Sequence, residues 1–214
     1  DVEIGAGSFI GTGVHLIGKI KIGEECEIGA FSIIENSVIG DASVVYSHSV
    51  IQNCTLGSEV KVGPFARLID NAHIGNHVEI GNFVEMKSST IGDYSKTRHS
   101  SYVSHAQIGS HVKLGAGTIT NNYDGLKNNT TTIEDNVFVG SANTFIAPVF
   151  VGKGAYTAPG AVINQDIPAD ALAVVRTTQI NKSGFARKLR EADVHDEAKT
   201  NIEKITQMLS EQDE

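Results

Sequence analysis

Residues 1–34 read DVEIGAGSFIGTGVHLIGKIKIGEECEIGAFSII, with an aliphatic side chain at every sixth position: Ile4, Ile10, Leu16, Ile22, Ile28 and Ile34. Glycine follows directly at Gly5, Gly11, Gly23 and Gly29. The spacing resumes at Val62, Leu68, Ile74, Ile80 and Met86, and again at Leu114, Val139, Phe145 and Val151. A period of six is neither the helical 3.6 nor the alternation of hairpins; it is the repeat of a parallel β-helix. Each hexapeptide supplies one short strand and one turn, and three hexapeptides close a triangular coil. Residues 17 or 18 apart therefore stack, because the rungs slip by one at Ile34–Ile39, Ile51–Leu56, Met86–Ile91 and Val103–Ile108.

Outward from this stretch, the fold class is all-β: a single-stranded β-helix of hexapeptide repeats with a projecting loop and a C-terminal helical tail. The period breaks over 120–132, whose polar run NNYDGLKNNTTT carries the turn signal Asp124-Gly125. It resumes at Ile133 and ends after Ile167-Pro168, with a last strand expected within Ala171–Val175. The β-helix is expected to occupy 1–176, and an arm with an amphipathic helix 177–214. In that arm Ala198, Ile202, Ile205 and Leu209 form one helical stripe. Roughly nine coils, about 4.8 Å apart, predict a prism some 40–45 Å long. Asn36, Asn53 and Asn71 follow the coil spacing and are expected to share one corner, where asparagine tolerates left-handed backbone.

Composition fits this reading. The chain has 214 residues, no tryptophan and only 6% aromatics, so its core must be built from aliphatic rungs. A net charge of −8 argues against a nucleic-acid partner. No run reaches the roughly 18 apolar residues of a membrane span. Residue 1 already reads as repeat rather than signal peptide, which places the chain in the cytoplasm. Asp1 falls within the repeat and is not methionine, which suggests a fragment or processed chain. Cys26 and Cys54 lie 28 apart, not a whole number of coils, and read as buried thiols rather than a disulfide.

Two clusters bear on chemistry. His99, His105 and His111 are six apart, so they fall on successive sides of the triangle and do not converge on a metal; no metal site is expected. Arg67, Lys87, Lys96, Arg98, His99 and Lys113 form a basic group in an acidic chain, suited to an anionic substrate such as a sugar phosphate. Histidine is the side chain best placed to take a proton near neutral pH.

Several segments resemble a known family. Gly63-Pro64-Phe65-Ala66-Arg67-Leu68, Gly81-Asn82-Phe83-Val84-Glu85-Met86-Lys87, Gly115-Ala116-Gly117-Thr118-Ile119-Thr120, Asn122-Tyr123-Asp124-Gly125 and Asp135-Asn136-Val137-Phe138-Val139-Gly140-Ser141 are similar to the acetyltransferase half of bacterial bifunctional N-acetylglucosamine-1-phosphate uridyltransferase/glucosamine-1-phosphate N-acetyltransferase. The likeness covers about residues 1–187; the uridyltransferase half, with its glycine-rich nucleotide loop, has no counterpart in these 214 residues.

The resemblance implies a left-handed β-helix, against the usual right-handed crossover, and a homotrimer with sites between subunits. It implies acetyl-CoA as co-substrate and the amine of glucosamine 1-phosphate as acceptor, toward UDP-N-acetylglucosamine. His99 would be the general base, assisted by Glu85; Lys87, Tyr102 and Arg67 would face the sugar phosphate. Ala116, Asn122, Tyr123, Ser141 and Arg176 would line the acetyl-CoA side. Three positions depart from the pattern: Ile69 replaces an arginine, Lys113 a sugar-binding asparagine, and Asn128 the loop lysine. These changes keep two alternatives open: a different amino or hydroxyl acceptor, or a catalytically silent trimeric scaffold.

Overall fold

The computed structural model describes residues 1–176 and 178–191. The chain divides into two units, Asp1–Arg176 and Thr177–Glu214. Of the second, the described part is an exposed segment with a short helix at 185–191. The stripe Ala198, Ile202, Ile205 and Leu209 lies outside the described residues.

The first unit is a parallel β-solenoid with three faces. The first face carries short strands such as Glu27–Ile28, Val44–Val45 and Lys61–Val62; the second carries Ile33–Glu35, Val50–Gln52 and Arg67–Ile69. The third carries Val38–Ile39, Thr55–Leu56 and His73–Ile74. The strands pair in parallel, and over most of the solenoid register advances by 17 or 18, as in Ile22↔Ile39, Ile39↔Leu56 and Leu56↔Ile74, widening to 25 across the loop. The third face is a nine-stranded sheet, one strand per coil. The last strand is Leu172–Ala173, within the stretch the sequence marked.

Each strand turns one aliphatic residue inward, so the rungs Ile28, Ile34, Ile51, Leu68 and Met86 are completely buried. Each such side chain contributes about 1.5–3 kcal/mol of transfer free energy. Beside the corners the inward positions are small, and several are serines. Their hydroxyls accept from the backbone N–H one coil on: Ser37 from Cys54 (3.0 Å), Ser43 from Val60 (3.1 Å), Ser89 from Ala106 (3.0 Å) and Ser95 from Val112 (2.9 Å). These bonds satisfy ladder amides where the chain turns.

The corners take left-handed backbone at non-glycine residues, a conformation side chains rarely adopt. One corner stacks Asn36, Asn53 and Asn71, with φ of 44°, 55° and 63°. The Asn36 side chain accepts from the Lys19 amide at 3.1 Å, and the Asn71 amide donates to the Asn53 carbonyl at 3.0 Å, so this corner is tied coil to coil largely through the backbone. A second corner stacks His77, Tyr94 and His111, with centroids 4.5 and 5.0 Å apart. The third stacks Phe31, His48, Phe65 and Phe83 at 5.1–5.5 Å. Ring stacking, worth about 0.5–1.5 kcal/mol per pair, offsets the backbone cost.

Two strands depart from the simple pattern. Glu79–Lys87 and Lys96–Ser104 are each nine residues long and run around the phenylalanine corner, joining the first and second faces into a 17-stranded sheet. Continuity requires the two backbones to approach at Gly81, where a Cβ would overlap the Arg98 carbonyl oxygen.

Cys26 and Cys54 are free and buried, on different corners. Burial pushes the Cys54 thiol up to about 11. The native protein at pH 8 should therefore leave Cys54 unlabelled by a disulfide reagent over a time in which the unfolded chain reacts completely. Fast labelling of Cys54 in the native state, read by mass spectrometry, would contradict this burial.

Candidate active site

His99 lies in the corner-turning strand, exposed to solvent, in register with Asn82 one coil earlier. Its Nδ1 is 3.2 Å from Asn82 Oδ1. An amide oxygen only accepts, so in the neutral ring this contact assigns the proton to Nδ1 and leaves the Nε2 lone pair free. Asn82 is thus the ring's orienting group. The sequence contained the signal, an offset of 17 from His99, but the resemblance pointed to Glu85 as the assisting group and Asn82 was passed over.

Glu85 has a different partner. It stands opposite Arg67 and Tyr102 in the ladder, and its Oε1 is 3.1 Å from the Arg67 guanidinium. Tyr102 is exposed on the same face. Lys87 follows on that face, opposite Ile69, with its ammonium 3.2 Å from Asp70. Ile69 itself is buried.

Offsets carry the His99 column upward. Lys96↔Lys113 and Tyr102↔Ile119 fix an offset of 17, and Lys113↔Phe138 with Ile119↔Thr144 an offset of 25. Ala116 and Ser141 consequently stack above His99 at the same corner, joined by Ala142 N–H to Ala116 C=O at 2.7 Å. Asn143, fully buried, pins this corner. Its Nδ2 donates to the carbonyls of Gly140 (3.0 Å), Ser141 (3.3 Å) and Ala158 (2.9 Å). Sequence reasoning passed over Asn143, because an inward polar residue carries no periodic signature.

The basic group does not stay together. Arg67 and Lys87 are on the second face; Lys96, Arg98 and Lys113 are on the first face or its edge. Glu79 holds both Lys96 (2.7 Å) and Arg98 (2.6 Å). The hydrogen bond from Lys96 does most to keep the Glu79 carboxyl below its ordinary range, and Arg98 adds to it.

The histidines His99, His105 and His111 sit at three different corners. His105 has left-handed backbone beside the loop, where its Nδ1 meets Ser104 Oγ at 2.9 Å and Asn122 Nδ2 at 3.2 Å. Among the described residues no group of three metal-ligating side chains converges.

The loop is narrower than the broken period suggested. Ile119–Asn121 and Thr131–Ile133 are strands, so the projecting part is 122–130. The extra residues were counted from lost periodicity, whereas Thr120 and Thr131 are inward residues of the ladder despite being polar. Asn122 is nearly buried at the base, donating to Asn128 Oδ1 at 2.8 Å; Asn128 thereby closes the loop. Tyr123 is exposed and its hydroxyl donates to Gly125 C=O at 2.9 Å.

Asp124 organises the tip. Its carboxylate accepts from the amides of Leu126 (2.8 Å) and Lys127 (2.9 Å) and from Asn129 Nδ2 (2.8 Å). The Lys127 amide and then Asn129 lower its pKa from 3.8 to about 2. A depressed folded pKa means the ordering is fully present above pH 3.8 and lost only as pH falls through about 2. The amide shifts of Leu126 and Lys127 should therefore stay constant from neutral pH down to about 4. An inflection near the ordinary aspartate value of 3.9 would contradict the bonding pattern.

Asn122 and Tyr123 follow the end of the second face away from His99. Five residues separate His99 from Ser104 along that face, about 16 Å of strand. Arg176 is exposed at the far end of the first unit. Within one chain, then, Ala116 and Ser141 stack above His99 at its corner, Glu85 and Tyr102 flank it on the second face and Lys113 on the first, while Lys87, Asn122, Tyr123 and Arg176 lie further off.

The solenoid carries a hexapeptide repeat: the family model of the bacterial transferase hexapeptide (six repeats) matches residues 1–36 and 53–88. The chain is 47% identical over 188 residues to the bifunctional protein GlmU of an Exiguobacterium species, covering 88% of this chain and 42% of that protein. Thermodesulfovibrio yellowstonii GlmU is likewise 47% identical over 189 residues, with 88% and 42% covered. The chain thus spans about two fifths of the length of these curated relatives. Among solved structures, Arabidopsis UDP-N-acetylglucosamine acyltransferase shares the fold with a TM-score of 0.65 at 19% identity, over 87% of this chain and 75% of that one. The Francisella novicida enzyme of the same name gives 0.59 at 19%, over 85% and 71%.

Proposed function

We propose that this chain is an acyltransferase that moves the acetyl group of acetyl-CoA to the amine of an amino sugar phosphate, with glucosamine 1-phosphate the first candidate. The product would lead toward UDP-N-acetylglucosamine. The observation that carries this reading is the corner column in which an outward, Asn82-oriented imidazole lies directly beneath Ala116 and Ser141. Identity of 47% to proteins named GlmU supports it.

In the proposed step the acceptor nitrogen attacks the thioester carbonyl and forms the N–C bond. His99 Nε2 takes the proton released from the amine. The carbonyl electron pair returns, the C–S bond breaks, and the thiolate receives a proton to leave as CoA. Backbone N–H groups around Ala116 are suited to stabilise the transient oxyanion. Glu85 and Tyr102 border the acceptor on the second face.

The separation of Asn122, Tyr123 and Arg176 from His99 supports a homotrimer in which neighbouring protomers complete each site. Acetyl-CoA as co-substrate supports a cytoplasmic location. No helix among the described residues is long and apolar enough to cross a membrane. A second reading, transfer to another amine or hydroxyl, is favoured by the buried Ile69 where the resemblance calls for a guanidinium.

The test is thiol release from acetyl-CoA with a panel of acceptors. Glucosamine 1-phosphate should give the highest kcat/KM. A better rate with an unrelated amine or a hydroxyl would favour the second reading, and no release with any acceptor would leave a scaffold.

A further inference from the structure

The charges flanking His99 are distributed unevenly. On the second face both cations are already neutralised, Arg67 by Glu85 at 3.1 Å and Lys87 by Asp70 at 3.2 Å. Between them Ile69 is apolar and 6% exposed. That face offers no spare positive charge. On the first face, successive coils place Lys61, Glu79, Lys96 and Lys113 in one column. Arg98 adds a second guanidinium-to-Glu79 bond at 2.6 Å. Four cations thus face one carboxylate, and Glu79 is consumed by Lys96 and Arg98. Among the described residues Lys113 has no acidic partner, and the next coil in its column presents Phe138. An excess of positive charge, in a chain of net charge −8, is concentrated on one side of the imidazole.

We propose that Lys113 forms an anion subsite on the first-face side of His99, and that the acceptor's phosphate is bound there rather than at Lys87. The proposal rests on the acetyl-transfer reading and assigns its acceptor an orientation. Lys113 lies one coil and three residues from His99, so their Cα atoms are about 11 Å apart. A lysine stem spans much of that gap, leaving room for one sugar ring between ammonium and imidazole. Placing a phosphate at Lys87 would instead require displacing Asp70. The uncompensated ammonium attracts the anion without breaking an existing pair.

The experiment compares Lys113→Gln and Lys87→Gln, using glucosamine 1-phosphate and unphosphorylated glucosamine. Selectivity is read as the ratio of kcat/KM for the phosphorylated over the neutral acceptor. Lys113→Gln should lower that ratio about tenfold, the effect expected from losing one charge-assisted contact. Lys87→Gln should lower it less. An unchanged ratio in Lys113→Gln, or a larger fall in Lys87→Gln, overturns the proposal. Calorimetric binding of inorganic phosphate to the complete protein gives a readout without turnover. Weaker binding in Lys113→Gln supports the subsite even if no acceptor is acetylated, in which case it is the transfer reading that fails. Equal binding by wild type and Lys113→Gln overturns the subsite whether or not turnover occurs.

Discussion

Replacing His99 by alanine should lower kcat by about 10²–10⁴ and leave the melting temperature close to that of the unaltered protein. The two halves of this expectation have separate origins. The imidazole is exposed at the corner, and among the described residues its hydrogen bond is to Asn82, so removing it opens no cavity in the stacked core. The same outward position is what frees Nε2 for the acceptor amine. Steady-state thiol release and a thermal melt on the same preparation decide it. A rate within a few-fold of the original would remove His99 from the chemistry; a collapsed melt would give the residue a structural role instead.

The largest expected effect on stability is at Phe145. Among the described residues it is the bulkiest side chain with no exposure, and it lies between Thr120 and Ile163 in one inward column of the second face. Thr120 is short, and its hydroxyl is turned to the backbone of Ser104, accepting from N at 2.7 Å and donating to O at 2.9 Å. Phe145 therefore fills the space that an aliphatic rung occupies elsewhere. Phe145→Ala should cost about 3–5 kcal/mol, the sum of lost transfer energy and a cavity that rigid coils cannot close. Denaturant unfolding measures it, and a loss below about 1 kcal/mol would show that the neighbouring coils collapse into the gap.

The coil architecture was legible because its cause is one-dimensional. An inward aliphatic at each sixth residue is needed by every face, so a period read from Ile4 to Ile34 extends directly to strand register. The asparagine corner was readable for the same reason, as Asn36, Asn53 and Asn71 repeat with the coil. What stayed hidden depends on departures from the repeat. The corner-turning strands Glu79–Lys87 and Lys96–Ser104 arise from close backbone approach at Gly81, and one glycine among 22 does not announce it.

The sequence names the residues of the candidate site but not their pairing. His99, Ala116 and Ser141 do share a corner. Glu85, however, pairs with Arg67, and Asn82 takes the imidazole, because ladder register decides which polar groups meet across coils. The basic cluster looked like one feature in the sequence and is split by a corner in space. Lys113 thus gains its meaning from Lys96 and Glu79 beneath it, not from its distance in sequence to Lys87.

The most direct test is a crystal structure of the complete assembly with a non-hydrolysable acetyl-CoA analogue and glucosamine 1-phosphate. The account predicts the acetyl carbonyl carbon beside the corner of Ala116 and Ser141, with the acceptor nitrogen within hydrogen-bonding distance, about 3 Å, of His99 Nε2. Both ligands bound at a distance from His99, in every arrangement of neighbouring protomers, would contradict it.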